Sequence, residues 1–324
     1  KGVGRGVVST ANYKARTYGI HSAMPITKAW QLSQEAKKQG KEEVIFLPVD
    51  FELYHKVSAH VLEIIQKYSD NVEQASVDEF YFDLSGAETF EKAENICQKI
   101  KKEVKQQEKV TCSVGIAPNK MIAKIAAGIN KPDGLLVVEA KEVKGFLNPL
   151  DISELPGVGP KTAELLHKKG IKIVKDLLVF SKIELQEMLG KHGEKLHAKI
   201  RGIDESPVSS FHQVKSIGEQ TTLQQNSLDA LLICETLKQI SAHVFNRFQK
   251  SEFSSFKTIT VTIRFADFRT YTTSKSFTPP LTKTDKKKFD FEILKLVMPF
   301  LDIRLNPGQK LVRLIGVRAE NFNK

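Results

Sequence analysis

Cysteine is scarce. The chain has three, Cys97, Cys112 and Cys234, an odd number with no metal-ligand spacing. That pattern excludes a disulfide framework and reads as buried thiols in a reducing compartment. Long apolar runs are missing as well. No stretch approaches the length of a membrane span and no signal peptide opens the chain, so we expect a cytoplasmic protein without a membrane partner. Acid is the minority charge. Against 38 Asp+Glu stand 49 Lys+Arg, a net +11. A surplus of this size is the electrostatic footprint of a polyanion partner, nucleic acid first, with a solubilising surface as the plain alternative.

What remains is an ordinary soluble composition. Hydrophobic residues make up 41 % of 324, enough for real cores in two or three domains. The most informative stretch is Ser76-Val77-Asp78-Glu79-Phe80-Tyr81-Phe82-Asp83. Strand-favouring residues flank two adjacent carboxylates, which places Asp78 and Glu79 at the bend of a β-hairpin. Carboxylates converging at a bend can hold one hard cation such as Mg²⁺. A solvated turn is the alternative, since Asp is a common turn residue.

Around that stretch the pattern is regular. Residues 1–8 enter a strand at once. Residues 9–19 read as a short helix with Ser9 or Thr10 as N-cap and Gly19 as stop. Tyr13 and Arg16 share a face of it, so the helix is either a phosphate clamp or a capped surface helix. Pro25 opens a second short helix. Strand 44–49, helix 52–68, the hairpin, helix 87–106 and strand 110–116 then give β-α-β-β-α-β, a split-βαβ unit. A helix over 117–127 carries Lys120 and Lys124 four residues apart, and Lys131-Pro132-Asp133-Gly134 is a turn before strand 135–138.

Residues 141–202 are helical and punctuated by glycine. Leu155-Pro156-Gly157-Val158-Gly159-Pro160-Lys161 looks like a helix-hairpin-helix motif. Gly157 and Gly159 let the backbone approach a phosphate, the next helix aims N–H groups at it, and Lys161 adds charge. A looser second hairpin falls at Leu189–Gly193. The polar segment 203–212 reads as a linker. Residues 213–324 form a second β-α-β-β-α-β unit with 18 Lys+Arg against 12 Asp+Glu over 203–324, a net +6. Lys215, Ser216, Ser274, Lys275, Arg313 and Arg318 lie in or beside its strands, where a sheet face could follow a phosphate backbone. Ordinary alternation with a wet face is the alternative.

Taken together, the chain resembles the Y-family DNA polymerases of the DinB translesion branch. Thr10–Arg16 matches the fingers motif and Ala75–Asp83 the catalytic palm motif. Ser113–Lys120 and Lys131–Gly134 match two further palm signatures, Pro156–Gly159 the thumb, and Lys215–Gly218 with Ile315–Arg318 the little finger. The implied fold is an α+β, multidomain right-hand polymerase. Its parts would be fingers (1–43), split-βαβ palm (44–140), helical helix-hairpin-helix thumb (141–202), linker (203–212) and βαββαβ little finger (213–324). The implied reaction is low-fidelity, template-directed addition of dNTPs to a primer 3′ end, with two Mg²⁺ ions on Asp78 and Glu79. Thr10, Tyr13, Arg16 and Lys131 would hold the incoming triphosphate. Gly157, Gly159, Lys161, Lys215, Ser216, Ser274, Lys275, Arg313 and Arg318 would hold primer-template DNA for a monomeric enzyme.

The family also opens with a strand carrying another metal-binding aspartate, followed by an aromatic steric gate. We expect both to precede Lys1 in an untrimmed sequence. Asp50 is not that aspartate, because it follows the fingers. The family's hydrophobic peptide for the sliding clamp is not visible in Ala319–Lys324. The alternative function is a non-catalytic DNA-binding adaptor of the same fold. A nuclease or glycosylase would need a catalytic Lys or an acidic cluster beside Gly157–Lys161, and neither is there.

Overall fold

The structure is a computed structural model describing residues 4–211, 213–302, 306 and 308–324. In chain order the first elements are α1 (Tyr13–Arg16), α2 (Ile26–Lys38), α3 (Phe51–Gln66), β1 (Val72–Gln74), β2 (Phe80–Phe82), α4 (Phe90–Glu108), β3 (Val114–Ile116), α5 (Lys120–Ile129) and β4 (Leu135–Val137). Then come α6 (Val143–Leu147), α7 (Pro160–Lys168), α8 (Val174–Leu177), α9 (Lys182–Leu189) and α10 (Lys191–Lys199). The last are β5 (Ser216–Ser227), α11 (Ala230–Lys250), β6 (Ser255–Phe265), β7 (Thr270–Thr282), α12 (Lys286–Leu301) and β8 (Val312–Asn323). They fall into two units, Asp50–His212 and Lys1–Val49 with Gln213–Lys324.

In the unit Asp50–His212, helix starts are written in the sequence. Asp50 caps α3 by accepting from the Leu53 amide at 2.9 Å, which gives this aspartate a structural task. Thr89 caps α4 and Asn119 caps α5 in the same way. Ile64, Ile65, Val72, Ile100 and Val104 close the core between α3, α4 and β1. β1 and β2 pair antiparallel, and β3 and β4 pair parallel, as two separate two-stranded ladders. Gly115 is what lets α5 lie on β3. A Cβ there would stand 2.0 Å from the Ala123 carbonyl oxygen, far inside contact distance. A second core joins α5 to α6–α10 through Ile122, Ile152, Leu166, Val174, Leu177 and Leu185, all essentially fully buried.

The segment from Gly202 to Ser209 is irregular but not loose. Asn119 Nδ2 donates to the Gly202 carbonyl at 2.8 Å and Asp204 Oδ2 accepts from the Met121 amide at 3.1 Å. Lys120 Nζ donates to the Pro207 carbonyl at 3.2 Å, and the Ser209 amide donates to Glu73 Oε2 at 3.0 Å. The composition of a linker therefore belongs, over 202–209, to a strap tied along α5 and β1. His212 lies outside the described residues.

In the other unit, α1 and α2 enclose a small core of Val8, Ala15, Ile20, Met24 and Ala29. Residues 213–324 form a sheet of order β5-β8-β6-β7, every neighbour antiparallel. α11 and α12 cover one face around Phe245, Phe248, Phe256 and Phe289, whose rings meet at tilted or edge-on angles. β7 is an outer strand, and Pro279 and Pro280 sit near its end, where the pairing with β6 shifts register.

Three local expectations change. Residues 44–49 form no strand. Val44 and Phe46 turn toward the α1–α2 core while Ile45 and Leu47 are about four-fifths exposed (81 % and 80 %). The alternation is that of a strand, but among the described residues no neighbour supplies a ladder. Of the strand expected over 1–8, residues 1–3 lie outside the described residues, and the rest makes one bridge, Val7 to Pro25. The first helix begins two or three residues late. Asn12 Oδ1, not Ser9 or Thr10, accepts from the Ala15 amide at 2.9 Å and fixes the start. Gly19, at φ +82°, does end that turn.

Candidate active site and nucleic-acid interface

The hairpin carries the two carboxylates at its bend. Val72 pairs with Phe82 and Gln74 with Phe80, so the turn is Ala75–Glu79. The Ala75 and Ser76 amides both donate to the Glu79 carbonyl, at 2.9 and 3.2 Å. Inside the turn the Ser76 hydroxyl donates to Asp78 Oδ1 at 2.7 Å and accepts from the amides of Asp78 and Glu79. The turn thus satisfies its own backbone and leaves both carboxylates at the surface.

Glu79 is held from outside the hairpin. Lys124 Nζ donates to Oε1 at 2.6 Å and to Oε2 at 2.7 Å. Burial alone would lower the Lys124 ammonium, but the Glu79 hydrogen bond and charge more than offset it and raise the pKa above the ordinary lysine value. One helical turn earlier, Lys120 reaches Glu73 at 2.5 Å and lies 5.0 Å over the Tyr81 ring. Burial pushes the Tyr81 phenol up, Lys124 opposes it, and Glu79, Glu73 and Asp204 add to the rise. The four-residue spacing of the two lysines was visible in the sequence. Their partners, 45 and 47 residues away, were not.

Asp78 and Glu79 are hard oxygen donors on adjacent residues, and Glu79 already chelates one cationic nitrogen with both oxygens. That donor set fits Mg²⁺. Among the described residues, no group of three His, Cys, Asp or Glu side chains could hold a metal ion. Lys131 lies exposed in the turn before β4, in the same unit. Beneath that turn Lys101 donates to Asp133 Oδ1 at 2.6 Å and to the Cys112 and Gly134 carbonyls.

Thr10, Tyr13 and Arg16 belong to the other unit. All three are exposed, and the Arg16 guanidinium stands 5.1 Å over the Tyr13 ring while its Nε donates to the Ala11 carbonyl. The shared face expected from their spacing is present. Lys14 beside them is paired with Glu42, whose hydrogen bond raises the Lys14 pKa.

The helix-hairpin-helix has the anticipated backbone. Gly157 sits at φ +97°, Gly159 is the N-cap of α7, and Pro160 occupies the first turn. Lys161 is exposed there. Lys199, which the sequence did not single out, donates to the Pro156 carbonyl at 2.6 Å. Gly190, at φ +64°, joins α9 to α10 in the second hairpin.

The C-terminal sheet leaves one face open, and its register sorts the candidate residues. Ser216, Glu320, Thr258 and Ser276 form one row; Gly218, Arg318, Thr260 and Ser274 form the next. Hydroxyls bond along these rows, Thr258 to Ser276 at 3.0 Å and Thr260 to Ser274 at 2.9 Å. A hollow of about 300 Å³ lies where glycine floors this face, lined by Ser216, Gly218, Gln220, Thr262, Gly316 and Arg318. Arg318 Nε lies 3.1 Å from Glu320. Lys275 does not share the face. It pairs in the row of Ile259 and Ala319, on the helix-covered side, and reaches Glu292 of α12 at 2.7 Å. Its position between Ser274 and Ser276 dictates this, because neighbouring side chains on a strand point to opposite faces. Arg313 is occupied differently, 4.6 Å over the Phe268 ring, and Lys215 is exposed just before β5.

Residues 1–128 match the model of the impB/mucB/samB family, 153–204 that of the DNA polymerase-iota thumb domain, and 214–324 that of the impB/mucB/samB family C-terminal domain. DNA polymerase IV 2 of Methanosarcina mazei is 41 % identical over 317 residues, spanning 98 % of this chain and 81 % of that protein. Among solved structures, a Y-family chimera, Dbh-Dpo4(243-245)-Dbh, has a TM-score of 0.83 at 32 % identity, covering 98 % of this chain and 88 % of the other. An insertion ternary complex of Dbh DNA polymerase gives 0.64 at 32 % identity over the same shares. A helix-hairpin-helix thumb, a four-stranded C-terminal little-finger sheet and relatives of this identity along nearly the whole chain lead to one conclusion: the protein belongs to the Y-family DNA polymerases of the DinB, polymerase IV type, and is a DNA-directed DNA polymerase.

Proposed function

We propose that this chain extends a DNA primer on a template by phosphoryl transfer from dNTPs, with Asp78 and Glu79 as its metal-binding carboxylates. The observation that carries the reading is the pair itself, adjacent and exposed at a hairpin bend, with Glu79 holding a cation through both oxygens. When bound there, two Mg²⁺ ions would lower the pKa of the primer 3′-hydroxyl and neutralise the departing pyrophosphate. The chain's own residues orient the reactants. Arg16, with Tyr13 beneath it, and Thr10 suit the phosphates of the nucleotide, and Lys131 adds a further ammonium. Gly157, Gly159 and Lys161 suit the backbone of the duplex at the thumb, and Ser216, Ser274, Arg318 and Lys215 suit it at the little finger.

In this reading residues 1–43 act as fingers, 44–140 as palm, 141–202 as thumb, 203–212 as connection and 213–324 as little finger. Fingers made of two short helices check base-pair shape loosely, which accounts for low fidelity and lesion bypass. The enzyme works as a monomer on primer-template DNA in the cytoplasm. The test is primer extension with Asp78→Ala and Glu79→Ala. Both are expected to lose extension by orders of magnitude while keeping DNA affinity in a gel shift. Extension at the parent rate by either variant overturns the assignment.

A further inference from the structure

We infer that Lys124 is a positioning residue that occupies Glu79 in place of a metal ion and yields the carboxylate when the metal binds. This rests on the metal-binding reading of Asp78 and Glu79 above. Three features carry it. The first is geometry: the ammonium bonds both Glu79 oxygens, at 2.6 and 2.7 Å, filling the donor set a cation would use. The second is rigidity of the helix that presents it. α5 is fixed by the Asn119 cap, by Asp204 on the Met121 amide, and by Ile122 and Ile125 in the core. Lys124 is therefore delivered to the bend by a scaffold that does not need Asp78 or Glu79 to stay in place.

The third feature is a contrast between two pairs on one helix. Lys120 and Glu73 keep only 17 % and 9 % of their side-chain surface exposed, and the same Glu73 oxygen also accepts the Ser209 amide. That pair is sealed into the fold. Lys124 and Glu79 retain 39 % and 47 %. An ion pair this exposed contributes little to stability and exchanges readily with solvent ions. One pair is built to stay and the other to exchange. While it lasts, Lys124 keeps Glu79 aligned beside Asp78 and lowers the repulsion between the two carboxylates. A divalent ion outcompetes it by charge, and the freed ammonium stays close by as a donor.

The experiment is Mn²⁺ binding to the whole protein without DNA, followed by electron paramagnetic resonance, for the parent protein, Lys124→Met and Lys124→Arg. Lys124→Met removes the competitor and its charge, and should bind Mn²⁺ at least about fivefold more tightly. Lys124→Arg, which restores charge and both hydrogen bonds, should return close to the parent value. A merely structural lysine would leave the Mn²⁺ affinity unchanged or weaken it, and either result in Lys124→Met overturns the proposal. Lys124→Gln serves as a second variant if Lys124→Met fails to fold by circular dichroism. Asp78→Ala and Glu79→Ala separate the two readings. If neither changes Mn²⁺ binding in the parent protein, the metal site itself is misassigned and the proposal falls with it. If both abolish binding while Lys124→Met leaves it unchanged, only the proposal fails.

Discussion

The Lys120 ammonium and the Glu73 carboxylate stand 2.5 Å apart, both nearly enclosed, and the strap residue Ser209 donates its amide to the same Glu73 oxygen. One carboxylate thus ties hairpin, α5 and strap together. Removing it strands a lysine in a nearly enclosed site, which typically costs several kcal/mol. Glu73→Ala should lower unfolding free energy by about 3 kcal/mol in urea titration, and the amide of Ser209 should lose hydrogen-exchange protection. Unchanged exchange at Ser209 would argue against the strap.

Gly115 is a steric requirement. A methyl group at this position would meet the Ala123 carbonyl oxygen at 2.0 Å and the Ala127 amide nitrogen at 2.5 Å. Neither is a flexible side-chain end, so α5 must move off β3. Gly115→Ala should cost about 3 kcal/mol as overpacking, and extension should fall with it, because α5 carries Lys124 toward Glu79. Melting curves and primer extension on the same preparation check both.

Lys161 and Lys275 should behave in opposite ways. Lys161→Ala is expected to reduce the salt dependence of DNA binding by about one unit of log–log slope, with stability unchanged. Lys275→Met should leave that slope alone and destabilise the sheet, because it abandons Glu292. The Lys275 hydrogen bond holds the Glu292 carboxyl below its usual range, against the opposing effect of burial. A carboxyl depressed in the folded state contributes stability above its unfolded pKa, about 4.3, and loses it as pH falls through the folded value. Melting temperatures of the parent protein should drop on that acid limb, and Lys275→Met should flatten it.

Much of this was legible in the residues. The C-terminal βαββαβ pattern emerged clearly because its strands run eleven to thirteen residues, long enough for alternation to be unambiguous. Asp78 and Glu79 fell at the bend because aromatic strand formers flank them. The hairpin of Gly157 and Gly159 announced itself through turn chemistry. Residues 44–49 show the limit of local pattern, since strand propensity without a neighbour makes only an extended segment. Lys124 shows another limit. Its role depends on a partner 45 residues earlier, and a sequence pattern contains no such distance. Lys275 shows a further limit: composition groups it with Ser274 and Ser276, whereas strand alternation turns it to the opposite face.

The outer strand β7 has a consequence for how the protein behaves in a crowded cell. A thirteen-residue edge presents a row of free backbone donors and acceptors, which is a template for pairing with another chain. Pro279 and Pro280 have no backbone N–H to donate, and they sit where the pairing with β6 shifts register. At that end of β7 the chain therefore offers another strand a poorer template than a regular edge would, because a proline supplies no donor to a ladder.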